Sequence, residues 1–292
     1  MHGKRVTDPQ LRVWLAVKAD KVEVVPAPGI DVQLIAYPQD IEKIIAFAAG
    51  ATVKGHMAGK LSDITKEYSD KFISKILAAD HGSVLEHGLF TFDLRNVSRA
   101  LTHQLVRHRM ASYTSESQHY IKYDRLMVVV PMGLSVLQSR DFLQSCINAF
   151  KAYRALIDQG YPSFEARAVL PNATACRIVV SMNARSLYNF FDLRCCNRNT
   201  WEIKVLAYRM LEECAGAAPM LFSLAGPRCM RLGFCPEGKL SCGAVPAKAM
   251  GKPVLTWAMD NPPDLKSYVR KGVFFDAESH IACIKRNGGN QE

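Results

Sequence analysis

Between His103 and Tyr120 the chain reads HQLVRHRMASYTSESQHY, setting Arg107, His108 and Arg109 side by side ahead of a hydroxyl-rich run. No Asp or Glu stands between Asp93 and Glu116 to neutralise these cations. A helix C-terminus favours positive charge, but capping asks for less than this, so the cluster wants an anion. The serines and threonines that follow are neutral donors suited to phosphate or carbonyl oxygens. A solvated basic helix end followed by a polar loop would carry the same residues, so the rest of the chain has to decide.

Elsewhere the sequence offers further groups of the same kind. Arg177 to Met182 reads as a strand that runs into a helix through Phe191, with Asn183 as its N-cap. Such a join leaves backbone N–H groups unpaired and is a natural phosphate cradle. Arg185 and Asn189 lie one turn apart on that helix, which a solvated face would equally explain. Ser83, Arg167 and Arg194 complete a set of anion-binding groups spread over distant segments. His81 and His87, taken alone, read as structural histidines, and Glu86 with His87 makes no zinc-type spacing.

The elements that must position these groups follow from periodicity. Ser98 to Arg107 reads as an amphipathic helix, with Leu101 and Leu105 on one face and Arg99, His103 and Arg107 on another. Strands are expected at Leu11–Val17, Val22–Val25, Val32–Ala36, Leu89–Leu94 and Leu126–Val130. A helix begins after Asp40, with Ile41, Ile44, Ile45 and Phe47 as its apolar positions, and a glycine-containing loop is expected over Ala49–Gly59. Further helices are expected at Ser69–Ala79, Phe142–Leu156 and Glu202–Cys214, with a helical turn at Phe164–Leu170.

At 292 residues, 49% apolar and 22% charged, the chain has the composition of an ordinary globular protein able to bury a sizeable core. Its net charge of +10 and pI near 9.2 favour polyanionic partners. The basic residues are scattered, so no nucleic-acid groove is expected. No apolar run is long enough for a membrane span, and the start lacks a signal peptide. The odd count of nine cysteines then reads as reduced thiols in a cytoplasmic protein. Cys195, Cys196, Cys229, Cys235 and Cys242 lack a CxxC knuckle, so no metal is assigned to them. GxGxxG, GxxxxGK[ST] and GxSxG are all absent.

Arg107-His108-Arg109, seven residues, then Ser117 resembles the RHRx7S signature of flavin-dependent thymidylate synthases. SVLEHGLFTF at 83–92, HQLVRHRMASY at 103–113, VLPNAT at 169–174, MNARSLYNFFDLRCCNRNTWEI at 182–203 and CPEGKLSCG at 235–243 are similar to the same family, in the same order. The resemblance implies an α+β fold: a twisted, largely antiparallel sheet flanked by helices, with a helical subdomain. It covers a domain at 31–243, with an N-terminal extension at 1–30 and a C-terminal extension at 244–292.

The resemblance implies transfer of a one-carbon unit from methylene-tetrahydrofolate to C5 of dUMP, with NADPH reducing a bound FAD that delivers hydride. It implies a homotetramer whose active sites are shared between subunits, so that separated basic segments can converge. Arg107, His108, Arg109, Ser83, Glu86, Asn183, Arg185 and Asn189 match FAD-holding positions, and His81 matches a histidine near flavin and folate. Gln104, Ser117, Gln118 and Arg167 match dUMP-binding positions. Arg194 matches the arginine that orients the uracil and raises its reactivity. No cysteine nucleophile is implied.

Two positions depart from the pattern. The family has Ser-x-Arg-Tyr where this chain has Ser117-Gln118-His119-Tyr120, and it carries Glu or Gln in many members where this chain has Ser115. An imidazole, with an ordinary pKa of about 6.5, is only partly charged at neutral pH and lacks the guanidinium fork. Weaker, pH-dependent nucleotide binding is expected, or a shifted preference among pyrimidine nucleotides. Two other outcomes are a related flavin enzyme on another pyrimidine nucleotide and a nucleotide-binding relative that has lost catalysis.

Overall fold

The computed structural model describes residues 17–19, 22–27, 29–55, 59–243 and 245. In chain order the elements are β1 (Val17–Ala19), β2 (Val22–Pro26), β3 (Asp31–Ala36), α1 (Ile41–Lys54), α2 (Lys66–Ala78), β4 (Leu89–Ser98), α3 (Arg99–Leu105) and β5 (Ala111–Ser115). They continue as β6 (Arg125–Val128), α4 (Val136–Asp158), α5 (Ser163–Ala166), β7 (Ala175–Asn183), α6 (Ala184–Arg194), α7 (Trp201–Ala217) and α8 (Arg228–Leu232). Short 3-10 turns lie at Gly82–His87 and Arg167–Val169. A four-stranded antiparallel sheet has the order β3-β4-β7-β5. A three-stranded sheet, β1-β2-β6, is mixed, because β2 pairs antiparallel with β1 and parallel with β6. No helix among the described residues is long and apolar enough to cross a membrane.

Two units divide the chain. The first takes residues 1–31, 95–103 and 115–178. Its core sets Val24 of β2 and Leu126 and Val128 of β6 against Leu143, Cys146, Ile147, Phe150 and Tyr153 of α4. Fully burying such a side chain contributes roughly 1.5–3 kcal/mol. Helix α4 starts six residues before the expected Phe142 because Ser135 and Gln138 form a capping box: Gln138 N donates to Ser135 Oγ (3.3 Å) and Ser135 N to Gln138 Oε1 (2.9 Å). Val136 and Leu137, exposed at 86% and 65%, hide that first turn from a search for apolar periodicity.

The second unit takes 32–94, 104–114 and 179–292. Phe90 and Phe92 of β4, Val180 and Met182 of β7, and Leu187, Phe190 and Phe191 of α6 are buried here. Phe222 meets Phe90 edge-on at 5.2 Å and stacks on Tyr188 at 5.8 Å. The Glu42 carboxylate near the start of α1 accepts the backbone N–H groups of Met220 (2.8 Å) and Leu221 (3.0 Å), holding the chain after α7.

Several expectations are corrected. Residues 49–54 are helix rather than loop: Ala49 and Gly50 are buried within α1, and a side chain at Gly50 would approach the Tyr68 hydroxyl of α2. The hydroxyl run, for which the sequence predicts no particular element, is strand β5: Ala111–Ser115 joins the edge of the four-stranded sheet. Helix α3 stops at Leu105, so Arg107 lies past its end rather than on its face. The expected strand at Leu11–Val17 lies, apart from Val17, outside the described residues, as does nearly all of 244–292. Within 1–30, β1 and β2 pair with each other and with β6.

Candidate functional site

Arg107, His108 and Arg109 occupy the turn between α3 and β5 in the second unit. Tyr113 of β5 closes that turn: its hydroxyl lies 2.9 Å from the Leu105 carbonyl and 2.8 Å from that of His108, sharing its one proton between them. The His108 N–H returns to Leu105 O at 3.1 Å. Locked in this way, the turn directs His108 inward, where its ring meets Phe190 edge-on at 5.0 Å, while Arg107 and Arg109 stay exposed.

Arg194, at the end of α6, donates from Nε to His108 Nε2 (2.9 Å) and from Nη1 to Asn199 Oδ1 (3.1 Å). Burial, with the Arg194 charge beside it, lowers the His108 pKa to about 4. The imidazole is therefore neutral at ordinary pH, and Nε2 is free of a proton and able to accept. Desolvation pulls the Arg194 pKa down too, yet a guanidinium stays charged. Two of its five N–H groups are committed, and the others remain for a ligand.

Asn183 caps α6 as expected: its Oδ1 accepts from Ser186 N at 2.8 Å. The Ala184 N–H goes to Gly88 O at 2.7 Å. Those two bonds occupy part of the bare helix end, so anion binding here falls mainly to side chains. Arg185 pairs with Glu86 at 2.6 Å, in a position about half exposed. A cavity of about 490 Å3 is lined by Glu86, Arg107, His108, Arg109, Asn183, Arg185, Asn189 and Arg194, with Met110, Ser186 and Leu193. Seven of the nine expected cofactor positions thus meet around one opening, together with Arg194. Four guanidiniums face one carboxylate, and among the described residues Arg107 and Arg109 meet no carboxylate. That arrangement can hold a diphosphate.

His81 lines a neighbouring cavity of about 340 Å3 that Arg185 and Asn189 also border. Ser83 lines neither. Within this second cavity Arg231 donates to Asp192 (2.5 Å) and lies 3.7 Å from Asp80. Burial raises the Asp192 pKa and Arg231 opposes that rise. Gly82 packs so closely that a Cβ there would stand 3.2 Å from Arg185 Nε.

The expected substrate positions divide. Gln104, in the second unit, accepts from the Thr200 hydroxyl at 3.3 Å. Ser117, Gln118, His119 and Arg167 belong to the first unit. There Ser117 Oγ accepts the His119 N–H (3.3 Å), and the His119 ring rests on Phe164 with centroids 4.9 Å apart and on Tyr120 at 5.0 Å. Arg167 is half-buried where the 3-10 turn follows α5. Glu116, next to Ser117 in the chain, is engaged, accepting from the Tyr123 hydroxyl (2.8 Å) and Arg177 N (3.3 Å).

Tyr113, Asn199, Gly82 and the Asp192–Arg231 pair escaped the reading of the sequence. Tyr113 carries a weak signal, an aromatic hydroxyl inside a polar run; the rest depend on contacts between distant segments. Burial pushes the Cys195, Cys196, Cys214 and Cys229 thiols up, the last to about 12, so none of these is an activated nucleophile.

The family model described as "Thymidylate synthase complementing protein", Thy1, matches residues 33–220. The flavin-dependent thymidylate synthase of Geobacter sulfurreducens is 44% identical over 225 residues, which is 73% of this chain and 93% of that protein. The enzyme of the same name from Clostridium tetani is 39% identical over 234 residues, covering 74% and 94%. Among solved structures, a UMP/dUMP methylase, PolB, from Streptomyces cacaoi bound with 5-Br dUMP has the same fold, with a TM-score of 0.60 at 24% identity over 70% of this chain and 98% of that one. With the RHRx7S turn, the capped α6 and the guanidinium-lined cavity in the same chain, these likenesses show that the protein belongs to the flavin-dependent thymidylate synthase family.

Proposed function

We propose that this chain methylates dUMP to dTMP reductively, taking its carbon from methylene-tetrahydrofolate and its hydride from an FAD reduced by NADPH. The observation that carries the reading is the corner where Arg107, Arg109, Arg185 and Arg194 line one cavity around a neutral His108. These residues suit FAD, since several guanidiniums and little negative charge complement a dinucleotide's diphosphate. When bound, the flavin supplies the hydride that converts the transferred carbon to a methyl group.

The chain's own residues bind, orient and stabilise. Arg107, Arg109 and Arg185 hold the diphosphate, with Glu86 aiming Arg185 and Asn189 beside it. His108, as a neutral acceptor, and Asn199 fix one edge of Arg194. The remaining N–H groups of Arg194 stabilise the enolate-like charge on a uracil carbonyl that makes C5 nucleophilic towards the one-carbon unit. Gln104, Ser117, Gln118, His119 and Arg167 receive dUMP. A homotetramer with shared sites brings these groups together from different subunits, and Ser83 and His81 then serve the flavin and folate of such a composite site. The catalytic domain spans 31–243, and the protein works in the cytoplasm.

The test is to mix purified protein with NADPH, with and without dUMP and methylene-tetrahydrofolate. The expected result is a flavin absorbance that NADPH bleaches faster when dUMP is present, and a product one CH2 heavier than dUMP. A hydroxymethylated product, or turnover of another pyrimidine nucleotide, would replace this reading with the one that His119 favours. A yellow protein with no nucleotide-dependent NADPH oxidation would leave only nucleotide binding.

A further inference from the structure

Cys195, Cys196, Cys229, Cys235 and Cys242 line one cavity of about 580 Å3 in the second unit, formed by the turn after α6, by α8 and by the loop at 235–242. Cys195, like Cys146, Cys176 and Cys214 elsewhere, is fully committed to the core, and Cys235 is buried at the cavity wall. A thiol that merely fills space belongs in the core. Three of the cavity cysteines are only half-buried, and a cavity edge does not need them for packing. Cys196 lies within electrostatic reach of Cys235 and Cys242, and Cys229 within reach of the other three.

The surroundings hold these segments together. Arg198 pairs with Glu237, tying the Cys235 loop to the turn that carries Cys196. Asn197 Nδ2 donates to Cys242 Sγ at 3.6 Å, and the buried Lys204 ammonium donates to Asn197 Oδ1 at 3.2 Å. Amide-to-sulfur contacts backed by a cation are the outer support that a thiolate cluster uses. Arg194, Arg198 and Arg228 also line the cavity, with two carboxylates, Asp192 and Glu237, each already paired with an arginine.

We propose that Cys196, Cys229, Cys235 and Cys242 form a tetrathiolate site for a zinc ion. Among the described residues no three ligating groups already stand at metal-binding spacing, so the ion itself draws the sulfurs inward to about 2.3 Å. Four S–H protons leave to solvent as four S–Zn bonds form, with no change of oxidation state, and the two net negative charges are offset by Lys204 and Arg228, Arg198 being paired with Glu237. The site also has a reason to be where it is. The Cys196 carbonyl accepts from Asn199 Nδ2 at 3.1 Å, and Asn199 Oδ1 holds Arg194. Metal binding therefore stiffens the turn that fixes Arg194.

The experiment is metal analysis of purified full-length protein from zinc-replete expression. One zinc per chain is expected, lost in Cys229→Ser and Cys235→Ser and kept in Cys146→Ala. Cobalt exchanged into the wild type should give intense ligand-field bands in the red, clear of the flavin, and a mercurial titration should release one metal as four thiols react. These two measurements decide the matter without any variant. Wild-type protein free of metal, a metal kept by the Cys229→Ser/Cys235→Ser double variant, a cobalt spectrum without sulfur ligation, or two disulfides among the four cysteines would each overturn the proposal. Because metal content is read without substrate, the result is separate from whether the methylation chemistry holds.

Discussion

Arg194 and His119 are the positions of which the proposed chemistry asks most, and the protein holds them in opposite ways. Arg194 is half-buried, with Nε on His108 and Nη1 on Asn199. The amide of Asn199 is itself pinned to the carbonyls of Leu193 (2.6 Å) and Cys196 (3.1 Å). His119 is exposed: its ring leans on Phe164 and Tyr120, and its backbone N–H alone reaches Ser117 Oγ. A cation fixed before charge develops needs no reorientation at the moment of reaction. A cation that only grips a phosphate at a surface can be replaced, at the expense of affinity, without disturbing what is around it. The two regions separate a residue that the fold has to aim from one that it only has to present.

The largest effect should come from removing the aimed group. Arg194→Ala is expected to lower kcat by about 10²–10³-fold, the usual loss for one donor at a developing oxyanion. Arg194→Lys should recover little, because an ammonium cannot reach His108, Asn199 and a carbonyl at once. Steady-state kinetics with flavin occupancy checked by absorbance would measure this, and a kcat within severalfold of wild type would abolish the contrast. At the other pole, His119→Arg should tighten dUMP binding by roughly tenfold, the worth of an added charge-assisted hydrogen bond. Calorimetric titration reads the gain. Equal affinity in the two proteins would mean that His119 does not face the phosphate.

This contrast also marks how much the sequence could tell. Asn183 as a cap was legible because capping is local: a side-chain oxygen, three residues and one N–H. The positions expected to hold the cofactor come from a family pattern rather than from local chemistry, and seven of the nine line one cavity. The Ala111–Ser115 strand was not legible, since short hydroxyl residues look like a loop until a sheet edge is there to take their backbone groups. Ala49–Lys54 failed for a related reason: a glycine in a small-residue stretch reads as a break, whereas here the helix runs through it and buries it. The link from Arg194 to His108 joins positions 86 residues apart and leaves no local trace.

Between the extremes lies His108, which aims Arg194 only while it stays neutral. Its folded pKa of about 4 lies below the ordinary 6.5, so the unfolded chain takes up this proton first. The stabilisation is fully present above about pH 6.5 and is lost as pH falls towards 4. Allowing for solvent around a ring only half-buried, the loss is on the order of 1–2 kcal/mol. In His108→Phe, which keeps the contact with Phe190, denaturant midpoints should fall less steeply over that window. kcat should drop by about tenfold as Arg194 loses its anchor, while dUMP affinity changes little. An unchanged pH slope in the variant would show that other groups govern acid stability.

The smallest effect is also the most local. A methyl group at Gly82 would stand 3.2 Å from Arg185 Nε, closer than comfortable van der Waals contact, and nothing suggests that the backbone there needs a glycine for its own conformation. Arg185 is more than half exposed, so it can swing away rather than force the turn apart. In doing so it loses its alignment with Glu86, and with it part of the grip on an anion in the 490 Å3 cavity. Gly82→Ala should therefore leave the melting temperature within a degree or two and weaken flavin binding two- to threefold, as a partly exposed ion pair is worth about 0.2–1 kcal/mol. Fluorescence titration of the apoprotein with FAD measures that loss. Because Arg185→Ala removes the same contact altogether, the double variant should be no weaker than Arg185→Ala alone; additive losses would mean that Gly82 acts through something other than this guanidinium.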